Sequence, residues 1–116
     1  MAKSSKSQGP SDELFRAISD ELILRDPSIA KANMFGSTGL KVNGKIFVFL
    51  YRGQLVSKLP RERVDSLSAE GYGQHFVPGT GRAMNEWLSV PLTTELDWHE
   101  LAEEAREFVI SGTEGT

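Results

Sequence analysis

The chain has 116 residues, of which 39% are apolar and 25% are charged, a composition typical of one globular domain. It contains no cysteine, which excludes disulfide frameworks, zinc–thiolate sites and cysteine nucleophiles. The formal net charge of −3 argues against a dedicated nucleic-acid-binding protein. The first residues carry no apolar stretch typical of a signal peptide, and no apolar run approaches membrane-spanning length, so we expect a cytoplasmic protein.

Both ends of the chain consist mainly of small and polar residues. Neither end has an apolar surface to bury, so we expect disordered tails at 1–10 and 112–116 around a single domain at 11–111.

The first predicted element is a helix over about residues 12–25. Leu14, Ile18 and Leu22 recur at every fourth position, as one face of a helix requires. Ser11 precedes this segment and is a suitable N-cap, and Asp26-Pro27 ends it because the residue before a proline avoids helical geometry.

The middle of the chain is predicted to form two hairpins in series, with strands at 39–42, 45–51 and 54–59. Asn43-Gly44 is a strong turn signal, because both central residues of a type I′ turn need positive φ. Arg52-Gly53 is a weaker signal of the same kind. The three strands would form an antiparallel meander.

A second helix is predicted from Pro60 to Gly71, because proline is tolerated at the first helical position and glycine often ends a helix. Strands follow at about 73–77 and 84–90, and a last helix runs from near Asp97 to Gly112. The order α-βββ-α-ββ-α predicts an α+β fold, a two-layer domain with its helices packed on an antiparallel sheet.

The predicted strand at 45–51 is apolar on both faces. Alternation places its residues in two sets, with Ile46, Val48 and Leu50 on one face and Phe47, Phe49 and Tyr51 on the other. A sheet covered by helices on one side only should alternate apolar and polar residues instead. The second face therefore needs a cover, which could be another subunit, a partner, a ligand or the protein's own chain.

Two short motifs resemble ligand-binding signatures without meeting their requirements. Gly79-Thr80-Gly81-Arg82 resembles a phosphate loop, but the residues after it alternate like a strand where a helix N-terminus is needed. His99-Glu100-Leu101-Ala102-Glu103 has a glutamate where the zincin pattern has its second histidine. No serine lies in a nucleophile elbow, and the two histidines support no Ser-His-Asp triad. We therefore predict no catalytic residue, no cofactor and no metal site.

Charge is distributed unevenly along the chain, and the basic part supplies the remaining candidate site. Seven basic residues and one acid lie between Lys31 and Arg63, whereas six acids and one base lie between Glu95 and Glu107. If the hairpins form, the sheet and its turns carry a positive surface made of Lys41, Lys45, Arg52, Lys58 and Arg82. Such a surface could meet phosphates or an acidic helix, and the alternative is a set of scattered, solvated side chains.

Trp87 has two interpretations. It could stack on a nucleic-acid base, although a tryptophan in a strand more often belongs to the core.

Three groups of motifs, in the same order, resemble the N-terminal domain of the TfoX/Sxy family. They are Met34-Phe35-Gly36 with Gly44-Lys45-Ile46-Phe47, then Lys58-Leu59-Pro60, then Gly81-Arg82-Ala83-Met84 with Glu86-Trp87 and Val90-Pro91. Ala83 stands where the family usually has proline. The resemblance extends over about residues 12–111.

The resemblance implies a non-enzymatic domain that acts by binding, without a cofactor. The family is associated with regulation of natural competence, and the related MmcQ/YjbR-like proteins have been described as DNA-binding. The fold resembles that of type III secretion chaperones, which are often dimers with a protein partner. We expect a protein partner because the net charge is negative. DNA is the alternative because the middle of the chain is basic, and a homodimer through the sheet is a further alternative.

Overall fold

The computed structural model of the chain describes residues 9–34, 36–78, 81 and 83–115, with side chains as far as Ser111. Within these residues the elements are α1 (Pro10–Arg25), β1 (Ile29–Met34), β2 (Ser37–Val42), β3 (Lys45–Tyr51), β4 (Gln54–Lys58), α2 (Arg61–Ala69), β5 (Gln74–Phe76), β6 (Met84–Val90) and α3 (Trp98–Gly115). The predicted α+β two-layer fold is confirmed, with β1 as an additional strand.

The six strands of the described residues form one antiparallel sheet in the order β1-β2-β3-β4-β6-β5. The first four strands are neighbours in both sequence and space. The chain then leaves the sheet to form α2 and returns through β5 at the far edge, before β6 fills the position beside β4. The two edges of the sheet are therefore β1 and β5.

The strand β1 is not predicted by the sequence, because alanine and asparagine have low strand propensity. It forms because it pairs with β2 along its whole length, from Ile29 opposite Val42 to Met34 opposite Ser37. For the same reason β2 begins at Ser37, earlier than the predicted start at residue 39.

Both predicted hairpin turns are confirmed by the backbone angles. Asn43 and Gly44 have φ of 54° and 77°, and Arg52 and Gly53 have φ of 52° and 79°. Positive φ at both central positions is what a type I′ turn requires, so these turns fix the register of β2, β3 and β4.

All three helices pack on one face of the sheet, which we call the helix face. The core on this side includes Phe15, Ile18 and Leu22 of α1, Leu40, Val42, Val48, Leu50 and Leu55 of the sheet, Val64 and Leu67 of α2, and Leu101, Ala105 and Val109 of α3. The opposite side of the sheet carries a second, smaller apolar cluster, and we call it the open face.

A β-bulge corrects the predicted faces of β3. Leu40 pairs with Val48, but the next residue, Lys41, pairs with Ile46, so Phe47 has no partner of its own in β2. One extra residue shifts the alternation, and Phe47 joins Val48 on the helix face while Ile46 lies on the open face. The predicted faces of Ile46 and Phe47 were therefore wrong, because strict alternation does not allow for a bulge.

The ends of two helices differ from the prediction. Gly9, not Ser11, is the N-cap of α1, and the Ser11 hydroxyl instead donates a hydrogen bond to the carbonyl oxygen of Gly53 at 2.8 Å. The helix α3 continues past the predicted stop at Gly112, since a glycine within a helix costs only about 1 kcal/mol relative to alanine. Residues 1–8 of the predicted first tail lie outside the described residues. No helix in the described part of the chain is long and apolar enough to cross a membrane.

Ion pairs connect the three helices across the surface of their layer. Arg25 of α1 contacts Glu103 of α3 at 2.8 Å, and Arg63 of α2 contacts Glu104 of α3 at 2.8 Å. These side chains are substantially exposed, so each pair contributes little stability. These ion pairs matter for the distribution of charge, because they give carboxylates at the acidic end of the chain cationic partners within the protein.

A more sheltered ion pair holds the end of α1 against α3. Asp26 Oδ2 accepts hydrogen bonds from Arg106 Nη2 at 2.6 Å and Nε at 2.9 Å, while Oδ1 accepts from the Ser28 hydroxyl at 2.7 Å. The bond from the Ser28 side chain and those from Arg106 lower the pKa of Asp26 from 3.8 to about 2. Asp26 thus stabilises the fold above pH 4 or so, and this contribution is lost as the pH falls towards about 2.

Asp26→Asn is therefore expected to lower the stability at neutral pH. The difference from the wild type should shrink as the pH falls from about 4 to about 2, because the wild-type carboxylate becomes protonated over that range. Urea unfolding at a series of pH values measures this difference. Asp20→Asn, at an exposed position of the same helix, is the control and should show a nearly constant difference. A constant difference for Asp26→Asn would contradict the prediction.

Candidate partner-binding surface

The open face is apolar at its centre, although no helix of the described residues covers it. Phe49, Val56, Phe76 and Trp87 are buried there, and Met34, Ile46, Tyr51 and Met84 pack around them as partly buried neighbours. The open face thus has a closed centre and a partly exposed apolar rim.

The side chain of Phe76 provides much of the cover. It comes from the edge strand β5, yet its ring centroid lies 5.4 Å from that of Phe49 and 5.2 Å from that of Tyr51, both in edge-to-face geometry. The register between β5 and β6 shifts between His75 and Phe76, where the chain leaves regular pairing. The protein's own chain therefore covers Phe49, as one of the alternatives for the second face of β3 required.

Trp87 belongs to this core. It is 7% exposed, and its ring centroid lies 5.3 Å from that of Phe49. The ammonium group of Lys58 lies over the indole, 5.2 Å from its centroid. With one neighbour from the core and a cation against the ring, Trp87 does not offer a free surface for stacking on a base.

Three cations lie at one end of the open face, which we call the basic end and define as Lys41, Lys58 and Arg61. Lys41 is directly opposite Ile46 in the β2–β3 pairing and shares its face, whereas Lys45 is directly opposite Val42 and therefore lies on the helix face. Lys58 ends β4, the next strand across, and Arg61 begins α2 beyond it. Since neighbouring strands are about 4.8 Å apart, Lys41 and Lys58 flank Ile46 at a separation of about 10 Å between backbones.

Lys58 and Arg61 line a shallow groove beside Trp87. The groove has a volume of about 430 Å³, and Met84, Asn85 and Glu86 form the rest of its lining. Glu86 Oε1 lies 3.5 Å from Lys58 Nζ, so one of the three cations has an internal counter-charge. Lys41, Lys45 and Arg61 make no ion pair with any residue that the structure describes.

The other predicted members of the positive surface do not join the basic end. Arg52 lies in the β3–β4 turn, at the opposite end of these strands, where its guanidinium is 5.3 Å from the ring centroid of Tyr51. Arg82 lies outside the described residues. The structure therefore brings together Lys41 and Lys58 of the predicted set and separates Lys45 and Arg52 from them.

Arg61 is the member that the prediction omitted. Its signal in the sequence was its position just after Pro60, since a helix beginning there starts close to the end of β4. To predict that Arg61 joins the basic end, one must know the direction in which α2 leaves the sheet, and the sequence does not specify this direction.

Of the two remaining motifs, the phosphate-loop-like one lies mostly outside the described residues, which include only its Gly81. The residues from Met84 form strand β6, so a strand follows this motif in the sequence, as predicted. In the zincin-like motif, His99 Nε2 lies 3.1 Å from Glu21 Oε1 of α1, although it is not aligned for a hydrogen bond. His75 Nε2 lies 2.7 Å from Asp65 Oδ1 of α2. No group of three metal-binding side chains occurs among the described residues.

Comparisons with known proteins define the class of the fold. No protein-family model matches the sequence, and no curated protein matches it. The crystal structure of YdhG, a protein of the DUF1801 family from Bacillus subtilis, is similar with a TM-score of 0.57 over 91% of this chain and 83% of that chain. Since the two sequences are only 12% identical, the similarity concerns the α+β fold alone.

Proposed function

We propose that this protein is a non-enzymatic, cytoplasmic binding domain, related to the TfoX N-terminal domain, and that it binds a protein partner through the basic end of its open face. The partner presents an acidic segment with an apolar side chain. Its carboxylates meet Lys41 and Arg61, while the apolar side chain packs on Ile46.

The observation that carries this proposal is the set of unpaired cations around an apolar residue. Carboxylates in the helix layer already contact Arg25, Arg63 and Arg106, whereas Lys41 and Arg61 have no such partner among the described residues. Cations that lack internal partners and surround a partly buried apolar side chain favour an external acidic partner over an internal structural role.

A protein fits this surface better than a nucleic-acid duplex. Duplex binding relies on cations that follow the phosphates over several contacts, and Arg52 lies at the far end of the strands from the basic end. The whole chain carries a net charge of −3, so a long polyanion would meet repulsion beyond the basic end. Ile46 and Met84 add apolar contacts that a protein segment uses and a phosphate backbone does not.

The proposed relation to the TfoX family rests on the ordered motifs of the sequence. Parts of two of these motifs have defined places in the structure, since Gly44 is the second residue of a type I′ turn and Trp87 of β6 is paired with Lys58. Both histidines contact carboxylates from another element, which supports a structural role for them in a domain without catalytic activity.

A photo-crosslinking amino acid placed at Ile46 tests the proposal in cells that make the protein. We expect irradiation to yield a discrete adduct with another protein, and we expect Lys41→Glu together with Arg61→Glu to abolish it. These two substitutions break no internal ion pair among the described residues, so the fold should be kept. The same crosslinker at Leu24, which is 82% exposed on α1, should give no such adduct.

Arg52→Glu is the matched control, because it reverses one charge outside the basic end. An adduct that survives the double charge reversal, or that forms equally from Leu24, would overturn the proposal. An adduct of twice the mass of the chain would identify a second copy as the partner. If no adduct forms but short DNA duplexes are retarded at low salt, and the double variant removes that retardation, DNA is the partner instead.

A further inference from the structure

The helix face of the sheet changes from apolar to polar residues under the first turns of α1. Leu40 belongs to the core on the helix face, and Lys31 lies directly opposite it in β1. Residues directly opposite each other in an antiparallel pair share a face, so Lys31 lies on the helix face and faces α1. Asn33 and Thr38 form the next such pair along the strands, and they lie on the same face. Polar residues thus occupy positions where a helix-covered sheet normally has apolar ones.

A cavity lies where the helix face becomes polar. Its volume is about 340 Å³, within the range of sites for small molecules. Phe15 and Leu50 contribute apolar surface to its lining, and both are at least nine-tenths buried. Arg16 and Lys31 add cationic side chains, Asp12 adds a carboxylate, and Thr38 adds a hydroxyl.

Two hydrogen bonds involve α1, which forms one wall of the cavity: one reaches the β3–β4 turn and the other lies within the helix. The hydrogen bond from Ser11 to Gly53 fixes the start of α1 against the β3–β4 turn. The Ser19 hydroxyl, which is 1% exposed, donates to the Phe15 carbonyl oxygen at 2.8 Å. A cavity of this kind needs little rearrangement to accept a ligand, which lowers the cost of binding.

We propose that this cavity binds a small organic anion, a carboxylate or phosphate ester with an apolar body. The anionic group meets Lys31 and Arg16, and the apolar body lies on Phe15 and Leu50. The Asp12 carboxylate disfavours ligands that carry more negative charge. The cavity is on the helix face, so this proposal is independent of the partner proposed for the open face.

Titrations followed by amide proton–nitrogen NMR spectra test the site with hexanoate and phenyl phosphate as probes. We expect saturable shifts at Lys31, Gly36, Ser37 and Thr38 with at least one probe, and the tighter probe identifies the preferred anion. Lys31→Met should weaken that probe by about tenfold, because a charge-assisted hydrogen bond is lost. Lys41→Met, on the open face, is the matched control and should leave the affinity unchanged.

Three results would overturn the proposal. They are the absence of saturable shifts at these amides, an equal effect of Lys31→Met and Lys41→Met, and an affinity for inorganic phosphate equal to that for phenyl phosphate. The last result would mean that the apolar lining from Phe15 and Leu50 contributes nothing. The amide spectrum of each variant also reports whether it remains folded, so loss of binding and loss of structure are distinguished.

Discussion

Phe76→Ala is expected to lower the free energy of unfolding by about 4 kcal/mol, because it removes a buried aromatic side chain and leaves a cavity. Phe76 is 3% exposed and packs against the rings of Phe49 and Tyr51. Its loss also uncovers the centre of the open face, so the variant should bind hydrophobic dyes or self-associate. Urea unfolding and light scattering measure the two effects.

Val77→Ala is the control for this substitution. Val77 follows Phe76 directly but is 48% exposed, so its truncation should change the unfolding free energy by less than about 1 kcal/mol. Equal losses in the two variants would mean that Phe76 does not cover the open face as described.

Gly39→Ala is expected to cost about 2–3 kcal/mol through a steric clash inside the sheet. A Cβ atom at this position would lie 2.8 Å from Phe49 Cβ and 2.9 Å from the Val48 carbonyl oxygen. Neither atom is the end of a flexible side chain, so the strands β2 and β3 would have to move apart. Chemical denaturation gives the loss, and the change should extend to the amide NMR signals of both strands.

Gly9→Ala provides the comparison at a position without neighbours. No atom lies within 4 Å of a Cβ built there, and Gly9 has no positive φ. As an N-cap it should lose no more than about 1 kcal/mol on substitution by alanine. A Gly39→Ala variant as stable as Gly9→Ala would contradict the close approach of β2 and β3.

Features set by short stretches of sequence were predicted correctly. Asn43-Gly44 and Arg52-Gly53 specify their turns through the φ values that their positions need, and Asp26-Pro27 ends α1. The continuous apolar run at 46–51 likewise indicates a strand whose two faces both need cover. These signals need no knowledge of distant residues.

Features that depend on distant parts of the chain were not predicted. The bulge at Phe47 changes which face Ile46 occupies, and only the pairing with β2 reveals it. The packing of Phe76 on Phe49 joins residues from strands that are not neighbours in the sheet. The basic end was predicted in part for the same reason, since the position of Arg61 depends on how α2 leaves β4.

The arrangement of charge between the two layers has a consequence for encounters in solution. Acidic residues of α1 and α3 lie on one side of the sheet and the basic end lies on the other, so the molecule carries an electric dipole across its thickness. A dipole of this kind orients a protein before contact, because the field of an approaching acidic surface turns the basic end towards it. For the proposed acidic partner, added salt should slow the encounter, whereas the proposed apolar contact at Ile46 should be weakened little by ionic strength.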